Sequence, residues 1–577
     1  MERLEAKKIN GKTYYYYSKW GWVDGKCRRL WQKYLGTPTG ILKAIEGGDS
    51  PSCADVFEWG LSTALWRECR AIAFQEEVDR VCPKRNQGLS VGDYLTIAAI
   101  NRAICPNSKR SMWEWFSEST LLRAFPKASP TALSSQRFWD HMDKMQGPDA
   151  SSVWSSLLKR VVEHEAIDLS AVQYDGTNFY TFIDTFNVRC DIAKRGKNKQ
   201  GRSNLRQVSY ALFCSADGHI PLYYDLYDGN RNDAKQFPLI LKKFHTFLGN
   251  ITPLNTKSEA VKTTLIFDKG NNSEDNIALV DTMSSQLDFV GSLKLDQVKA
   301  LTMTPNDSDQ FEVCQSPNLE GTKAFRATKK IYGKDRTLIV TFNQNLFHSQ
   351  WLTLQNDIQK AVEKLSALQQ KLEDRIHGVI KGGKAITTAS VEKQCASFLR
   401  RQHLKSIIDY TITLEEGGLA CLTYRIDSKS LHDIANTYLG KGIIITSQAS
   451  WTNDKIIEAY RSQFIIEAVF KEMKDRTTGS WWPMHHWTDS KIRVHGLYCT
   501  VALLIRALIQ RRVEKAGLKV SLKRILKALE GIREVVNLYP PKGRGKKVRQ
   551  QTVLSKTSEL QQQLIDILQL EEAKTSI

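Results

Sequence analysis

The stretches Val172-Gln173-Tyr174-Asp175-Gly176-Thr177 and Leu265-Ile266-Phe267-Asp268 decide how this chain reads. Each is a short strand-forming run that meets an aspartate. Ala171 to Asp175 reads as one strand and Thr263 to Asp268 as a second, buried one. Between them Gln207 to Cys214 and Pro221 to Tyr227 read as strands and Ala234 to Phe247 as a helix. Asp288 to Leu293 is a further strand after a short helix. Three consecutive strands followed by alternating helix and strand predict a mixed sheet flanked by helices. Carboxylates that close such strands lie at the mouth of the sheet, where ligands bind. Taken singly, a strand-end Asp is more often a turn or cap residue than a ligand.

Working outward, the same α/β style returns at Gly442 to Thr446, a strand followed by a helix that Thr452 or Asn453 can cap. Glu467 lies in that helix. Tyr460, Gln463, Glu467, Lys471 and Lys474 are spaced 3, 4, 4 and 3 apart, which puts them on one helical face. A solvated salt-bridge face accounts for Lys471 but not for Tyr460. A carboxylate flanked by Tyr and Lys is what a metal-bound phosphodiester requires, the acid holding the ion while its neighbours grip phosphates.

The stretch 296–440 reads differently. It has strand-like runs at Arg336 to Phe342, Ile407 to Leu414 and Ala420 to Ile426, and a helix from Ser349 to about Ile380. Trp351, Leu354, Ile358, Ala361, Leu365, Leu368 and Leu372 form a heptad seam on that helix, broken by Gly378 and Gly382-Gly383. The seam fits pairing with Val391 to Leu404 in an internal hairpin, the favoured reading, or with another chain. Tyr14 to Trp22, Asp24-Gly25 and Cys27 to Leu35 read as a hairpin with basic residues among its tryptophans, which fits DNA or an inward-packed small sheet alike. Residues 51–165 read as helical. Val91 to Ile104, a break at Cys105-Pro106-Asn107 and a second helix capped by Ser108 and bearing Lys109 and Arg110 fit a DNA-reading pair or two core helices.

Across 577 residues, 82 Lys+Arg against 62 Asp+Glu give a net charge of +20, which suits a polyanionic partner or a merely soluble basic protein. The basic run Arg189, Lys194, Arg195, Lys197, Lys199, Arg202 and Arg206 follows the first aspartate strand and fits a solvated loop or, from its place beside Asp175, phosphate contact; Lys542 to Arg549 reads as a flexible linker able to touch DNA backbone. The apolar stretch Leu497 to Ile505 is broken by Arg506, so no membrane span is expected, and MERLEAKKING has no signal-peptide core. Eleven cysteines without a C-x-x-C pair fit reduced thiols in a cytoplasmic setting.

The segment from Ile443 through Tyr460, Arg461, Gln463, Glu467 and Lys471 to Lys474 resembles the Y-R-E-K signature of bacterial and archaeal insertion-sequence transposases of the DDE superfamily. That pattern is Tyr, two residues, Arg, three residues, Glu, six residues, Lys. Tyr460, Glu467 and Lys474 match it; Gln463 stands where the signature has Arg, and Arg461 is two places away. His486 to His495, Lys199 to Gln207, Asp217 to Leu222 and Asn101 to Lys109 extend the likeness over most of the chain.

The resemblance implies an RNase H-like α/β catalytic core whose metal-binding acids fall on Asp175, Asp268 and Glu467. The 199 positions between Asp268 and Glu467 exceed what such a core needs, which implies a β-rich insertion domain. The organisation expected is an N-terminal β hairpin region (1–50), a helical DNA-binding domain (51–165), the core in two parts (166–295 and 441–515), the insertion (296–440) and a C-terminal helical region (516–577). The implied chemistry is phosphoryl transfer with two Mg²⁺ ions, Mn²⁺ substituting. Terminal inverted repeats and target DNA are the expected partners, with Tyr460, Arg461, Gln463, Lys471, Lys474, Lys199, Arg202 and Arg206 on the DNA. A homodimer, cut-and-paste excision and a place with nucleoid DNA complete the expectation. A DNA-binding regulator without activity and a nuclease without strand transfer are the alternatives.

Overall fold

The computed structural model describes residues 1–23, 25–46, 50–85, 87–197, 201–251, 262–382, 386–415, 418–476, 479–540 and 548–571. They form two compact units. One comprises Met1–Arg67, Ser111–Ala132 and Arg512–Ile577, the other Glu68–Arg110 and Leu133–Arg511.

The first unit opens with an antiparallel meander of Glu2–Ile9, Lys12–Val23 and Lys26–Gly36, one strand more than the sequence predicts. Asn10-Gly11, both at positive φ, turn its first hairpin, as an Asn-Gly pair is suited to do. The meander does not pack its tryptophans inward. Trp22 and Trp31 are 78% and 43% exposed, whereas the Trp20 indole donates to Glu5 at 2.7 Å beneath the Arg3 guanidinium.

A second sheet joins distant parts of the sequence. Cys53–Glu58 pairs with Arg533–Tyr539, which pairs with Arg549–Leu554, all antiparallel. This corrects two expectations, an all-helical 51–165 and a helical 516–577. Val535 and Val536 give Arg533–Tyr539 a β-branched centre, but its partner lies almost 500 positions away, beyond the reach of local pattern. The break after Ile104 also differs. Lys109–Ser111 is a single 3-10 turn and the next helix is Met112–Ser117, so Ser108 caps nothing. The basic run at 542 lies, through residue 547, outside the described residues.

Glu58 anchors the start of helix Gly60–Ala71. Its two carboxylate oxygens accept the Leu61 and Ser62 amides at 2.8 and 3.0 Å. Burial outweighs these bonds and lifts its pKa to about 7. The native state therefore keeps a proton that the unfolded chain releases near pH 4.5, and stability falls as pH rises from about 4.5 to 7. The expected loss is about 3 kcal/mol. Glu58→Gln should flatten that decline in thermal melts; an unchanged slope would assign it to another group.

In the second unit the sheet organises everything else. Its strands are β1 (Ala171–Tyr180), β2 (Arg206–Ser215), β3 (Pro221–Asp228), β4 (Thr263–Phe267), β5 (Leu287–Ser292), β6 (Thr322–Ile331), β7 (Lys334–Asn343) and β8 (Lys441–Thr446). The order is β6-β7-β8-β5-β4-β1-β2-β3, with two-residue strands Glu312–Val313 on β6 and Lys194–Arg195 on β2. β1, β4 and β5 run parallel; the pairs outside them are antiparallel. This is the mixed, helix-flanked sheet that the sequence predicts. Helix α1 (Asp233–Ile251) covers one face, Phe244 stacking on Phe213 at 3.9 Å.

After β7 the chain leaves the sheet and returns with β8. Between them lie α2 (Gln344–Ile376), α3 (Thr388–Phe398), the hairpin Ile408–Leu414/Ala420–Ile426 and α4 (Ser428–Tyr438). Leu354, Ile358, Ala361, Leu365, Leu368 and Leu372 of α2 bury in one core with Val391 and Cys395 of α3 and with Ala420 and Leu422 of the hairpin, so the seam predicted to pair with α3 packs on the hairpin as well. The helix starts five residues earlier than expected, because the Asn343 side chain accepts the Leu346 amide at 2.8 Å. The strand run Arg336 to Phe342, read with this segment, instead extends the sheet as β7.

The last elements are α5 (Asn453–Arg461), α6 (Phe464–Lys474) and α7 (Asp489–Lys515). α7 is long and apolar enough by length and composition to cross a bilayer, contrary to expectation, but 94% of its apolar window is buried in the fold. Arg506 does not break it. Its guanidinium is buried, donating to the Ala103 carbonyl and, at 2.8 Å, to Glu472 of α6.

Candidate active site

Two adjacent parallel strands bring two of the predicted acids together. The β1–β4 register ends at the pair Tyr174 and Phe267, so Asp175 and Asp268 each follow that pair directly. Asp268 sits just past β4, where its carboxylate caps a 3-10 turn by accepting the Lys269 amide at 2.7 Å. Asp175 does not close its strand as the sequence suggests. β1 runs on to Tyr180 because β2 pairs with it throughout, opposite Leu212 at Asp175. Asp-Gly reads as a turn signal, yet here the ladder holds it extended.

Strand alternation fixes which way the side chains point. The Tyr174 ring meets Phe237 of α1 at 4.9 Å. Gln173 and Thr177, on the opposite face, meet the Glu467 segment. Gln173 donates to the Ser462 hydroxyl at 2.9 Å, and Lys474 donates to the Thr177 hydroxyl. Asp175 lies midway between Gln173 and Thr177 on that same face. Glu467 lies between Ser462 and Lys474 on α6, which packs on β1 and β2. The helix that carries the third acid is therefore packed on the face of β1 that carries the first.

The single helical face drawn from spacing is corrected. The helix kinks between α5 and α6 at Ser462-Gln463. There the Ser462 hydroxyl donates back to the Ala459 carbonyl at 2.6 Å and the Ile465 amide takes the Ser462 carbonyl three residues back. Tyr460 thus stands on one helix and Glu467, Lys471 and Lys474 on the other. Tyr460 is bonded to Ser292 at the end of β5; burial first, and the charge of Asp268 after it, raise its pKa, so the phenol stays protonated. Ile456 and Ile457 of α5 hold this helix on β4, β5, β7 and β8.

The remaining predicted residues are not gathered in one place. Gln463, at the signature Arg position, has a buried amide nitrogen without a hydrogen-bond partner. Arg461 is exposed and donates to Thr322 of β6 at 2.9 Å. Arg206 is occupied in holding the loop after β1, donating to the carbonyls of Asp184, Asn187 and Cys190. Arg202 is exposed, 5.1 Å from the Tyr180 ring. Lys471 is exposed, and Lys199 lies outside the described residues.

Sequence reasoning missed Arg476, which donates to the Tyr180 hydroxyl opposite Arg202, and the Phe179–Trp481 stack at 4.1 Å beside Lys474. Arg476 lies two places past Lys474, and only the fold shows that it joins the end of β1. Asp233, the first residue of α1, accepts from Tyr227 at 2.8 Å beside Gly176 and belongs to the opposite face.

The donor set is one of hard carboxylate oxygens, the chemistry that Mg²⁺ and Mn²⁺ take. Among the described residues no three His, Cys, Asp or Glu side chains stand close enough to share an ion. The fit therefore rests on Asp175 and Asp268 at adjacent strand positions, with Glu467 exposed in the first turn of α6, the helix that packs on β1.

Comparison with known proteins adds an independent finding. A family model described as "Transposase DDE domain" matches residues 174–504, a span that begins next to Asp175 and contains all three acids. No curated protein matches. Among solved structures, the piggyBac transposase synaptic complex with hairpin DNA aligns at 9% identity, covering 82% of this chain and 78% of that one, with a TM-score of 0.35.

Proposed function

The chain belongs to the transposase DDE-domain family, and from that premise we propose that it cleaves the ends of an insertion sequence and joins them to target DNA, excising the element by cut-and-paste. The fold is read as an RNase H-like core, with 344–440 as the insertion that covers the DNA end. Asp175, Asp268 and Glu467 are assigned as the acids that hold divalent ions, Mg²⁺ or Mn²⁺, two per site. The observation that carries this reading is the shared face: Gln173, Asp175 and Thr177 of β1 alternate toward a helix pair whose contacts bracket Glu467.

Divalent ions, when bound, lower the pKa of the attacking oxygen and neutralise charge on the leaving one. The chain's own contribution is to position and to bind. Lys471 and Lys474 offer ammonium groups to phosphate oxygens. Gln463 offers the amide that has no protein partner, and Tyr460 a protonated hydroxyl beside Asp268. Arg202 and Arg476, grouped on Tyr180, extend the basic surface along the end of β1. No side chain near the acids is needed as a nucleophile, because water and then the freed 3′-hydroxyl supply the attacking oxygen. The basic balance of +20 suits inverted repeats and target DNA as partners, and a dimer would hold two ends together near nucleoid DNA.

The test uses labelled DNA carrying the inverted repeats that flank the gene, a target plasmid, and Mg²⁺ or Mn²⁺. Repeat-end DNA covalently joined to the plasmid establishes transposition. Cleavage at the repeat boundary without joining leaves a nuclease, and binding without cleavage in either metal leaves a DNA-binding regulator.

A further inference from the structure

Away from the acids, the second unit holds a cavity of about 260 Å³ whose walls include Arg102, Ser108, Lys109, Arg110, His485 and His486. None of the described residues lining it is acidic. Lys109 is 7% exposed and its ammonium makes no hydrogen bond. Arg102 is 2% exposed; one nitrogen donates to the Pro483 carbonyl at 2.9 Å, while Nε and Nη1 have no partner. His486, 5% exposed, leaves Nδ1 unbonded.

Three buried groups lining the cavity thus hold unused hydrogen-bonding capacity, and two of them are cations without a counter-charge among the described residues. A fold rarely keeps such an arrangement, because an uncompensated buried charge and an unmade donor each carry their full desolvation cost. The Phe138 and Tyr498 rings, 4.8 and 4.5 Å from the Lys109 ammonium, offset part of that cost but accept none of its N–H bonds in full. Burial first, then the charge of Arg102, press the Lys109 pKa well below its ordinary range, the effect a bound anion reverses.

We infer that this cavity binds a phosphate group, taken by Lys109, by Arg102 through Nε and Nη1 and by His486 through Nδ1, with Ser108 and Arg110 alongside. At about 30 Å³ per water the space holds roughly eight waters, enough for a phosphate with an attached sugar. A nucleic-acid phosphate and a free phosphate ion share this chemistry. The inference rests on the cavity alone and stands whether or not the chain transposes DNA.

The experiment is a thermal-shift titration of the full chain with inorganic phosphate, against chloride at equal ionic strength. Phosphate should raise the melting temperature where chloride does not. Lys109→Met should weaken phosphate by about tenfold to a hundredfold, the effect of one charged hydrogen bond. Arg110→Gln, at an exposed position that leaves folding intact, should weaken it less. Competition then identifies the source. A duplex with a 5′-phosphate displacing phosphate where its 5′-hydroxyl twin does not assigns a DNA end; displacement by both assigns the backbone; displacement by neither leaves the free ion. Absence of phosphate-specific stabilisation in the unmodified chain, or an equal response in Lys109→Met, overturns the inference and leaves Lys109 as a cation held by aromatic rings.

Discussion

Replacing Glu467 with Gln is expected to reduce cleavage of repeat-end DNA by on the order of a thousandfold, about 4 kcal/mol of transition-state stabilisation, while the chain stays folded. Glu467 is exposed in the first turn of α6, so its charge contributes only a few tenths to 1 kcal/mol to the helix, and the melting temperature should barely move. Gln keeps the shape and removes the negative charge, so DNA binding should be unchanged or slightly tighter, with one repulsion fewer against phosphate. Asp268→Asn, at another exposed position, should behave alike. Gel-based cleavage and binding assays with the same labelled DNA read all three quantities. Full cleavage by Glu467→Gln beside loss in Asp268→Asn would break the trio and send the search for the third ligand elsewhere on the sheet.

Arg506→Met should have the largest effect on stability. The wild-type guanidinium is buried and satisfies the Ala103 carbonyl while pairing with Glu472 at 2.8 Å. Met fills the space but leaves the carbonyl unbonded and the half-buried carboxylate without its cation. The combined cost is about 3 kcal/mol, discounted from a fully buried pair because Glu472 keeps some access to water. That corresponds to a fall of roughly 3 to 4 °C in the transition of a unit of about 420 residues, at about 2.1 cal/mol/K of unfolding entropy per residue. Glu472 lies on α6 five residues beyond Glu467, so cleavage should fall as well, through displacement of the helix. Adding Glu472→Gln to Arg506→Met should restore part of the stability, since the unpaired charge is then gone. A double variant no more stable than the single one would show that the Ala103 bonds, not the ion pair, carry the effect.

These two residues show how differently the sequence and the fold reveal function. Glu467 is proposed from neighbours at helical spacing, a face that the fold divides at Ser462, and Asp175 and Asp268 from the strand-forming runs that lead into them. Arg506 read as an interruption of an apolar run. Only packing shows that a buried guanidinium there is bonded on two sides. Lys109 read as part of a DNA-reading pair or of a core helix, and the fold encloses it between aromatic rings.

The sequence by itself determined the alternating α/β order, the strands and helix that carry the acids, and the heptad pairing of α2 with α3. These depend on periodicity and propensity over a few residues, which the chain carries locally. Tertiary structure decided the rest. It extended β1 through Asp-Gly by pairing it with β2, kinked the Glu helix at Ser462, turned Arg461 toward Thr322 and spent Arg206 on loop carbonyls. It also joined Cys53–Glu58 to Arg533–Tyr539. Apart from the Ser462 kink, whose bond spans three residues, each of these is a choice of partner between residues separated in sequence, and a hydrogen bond or ion pair leaves no periodic trace in the chain that forms it.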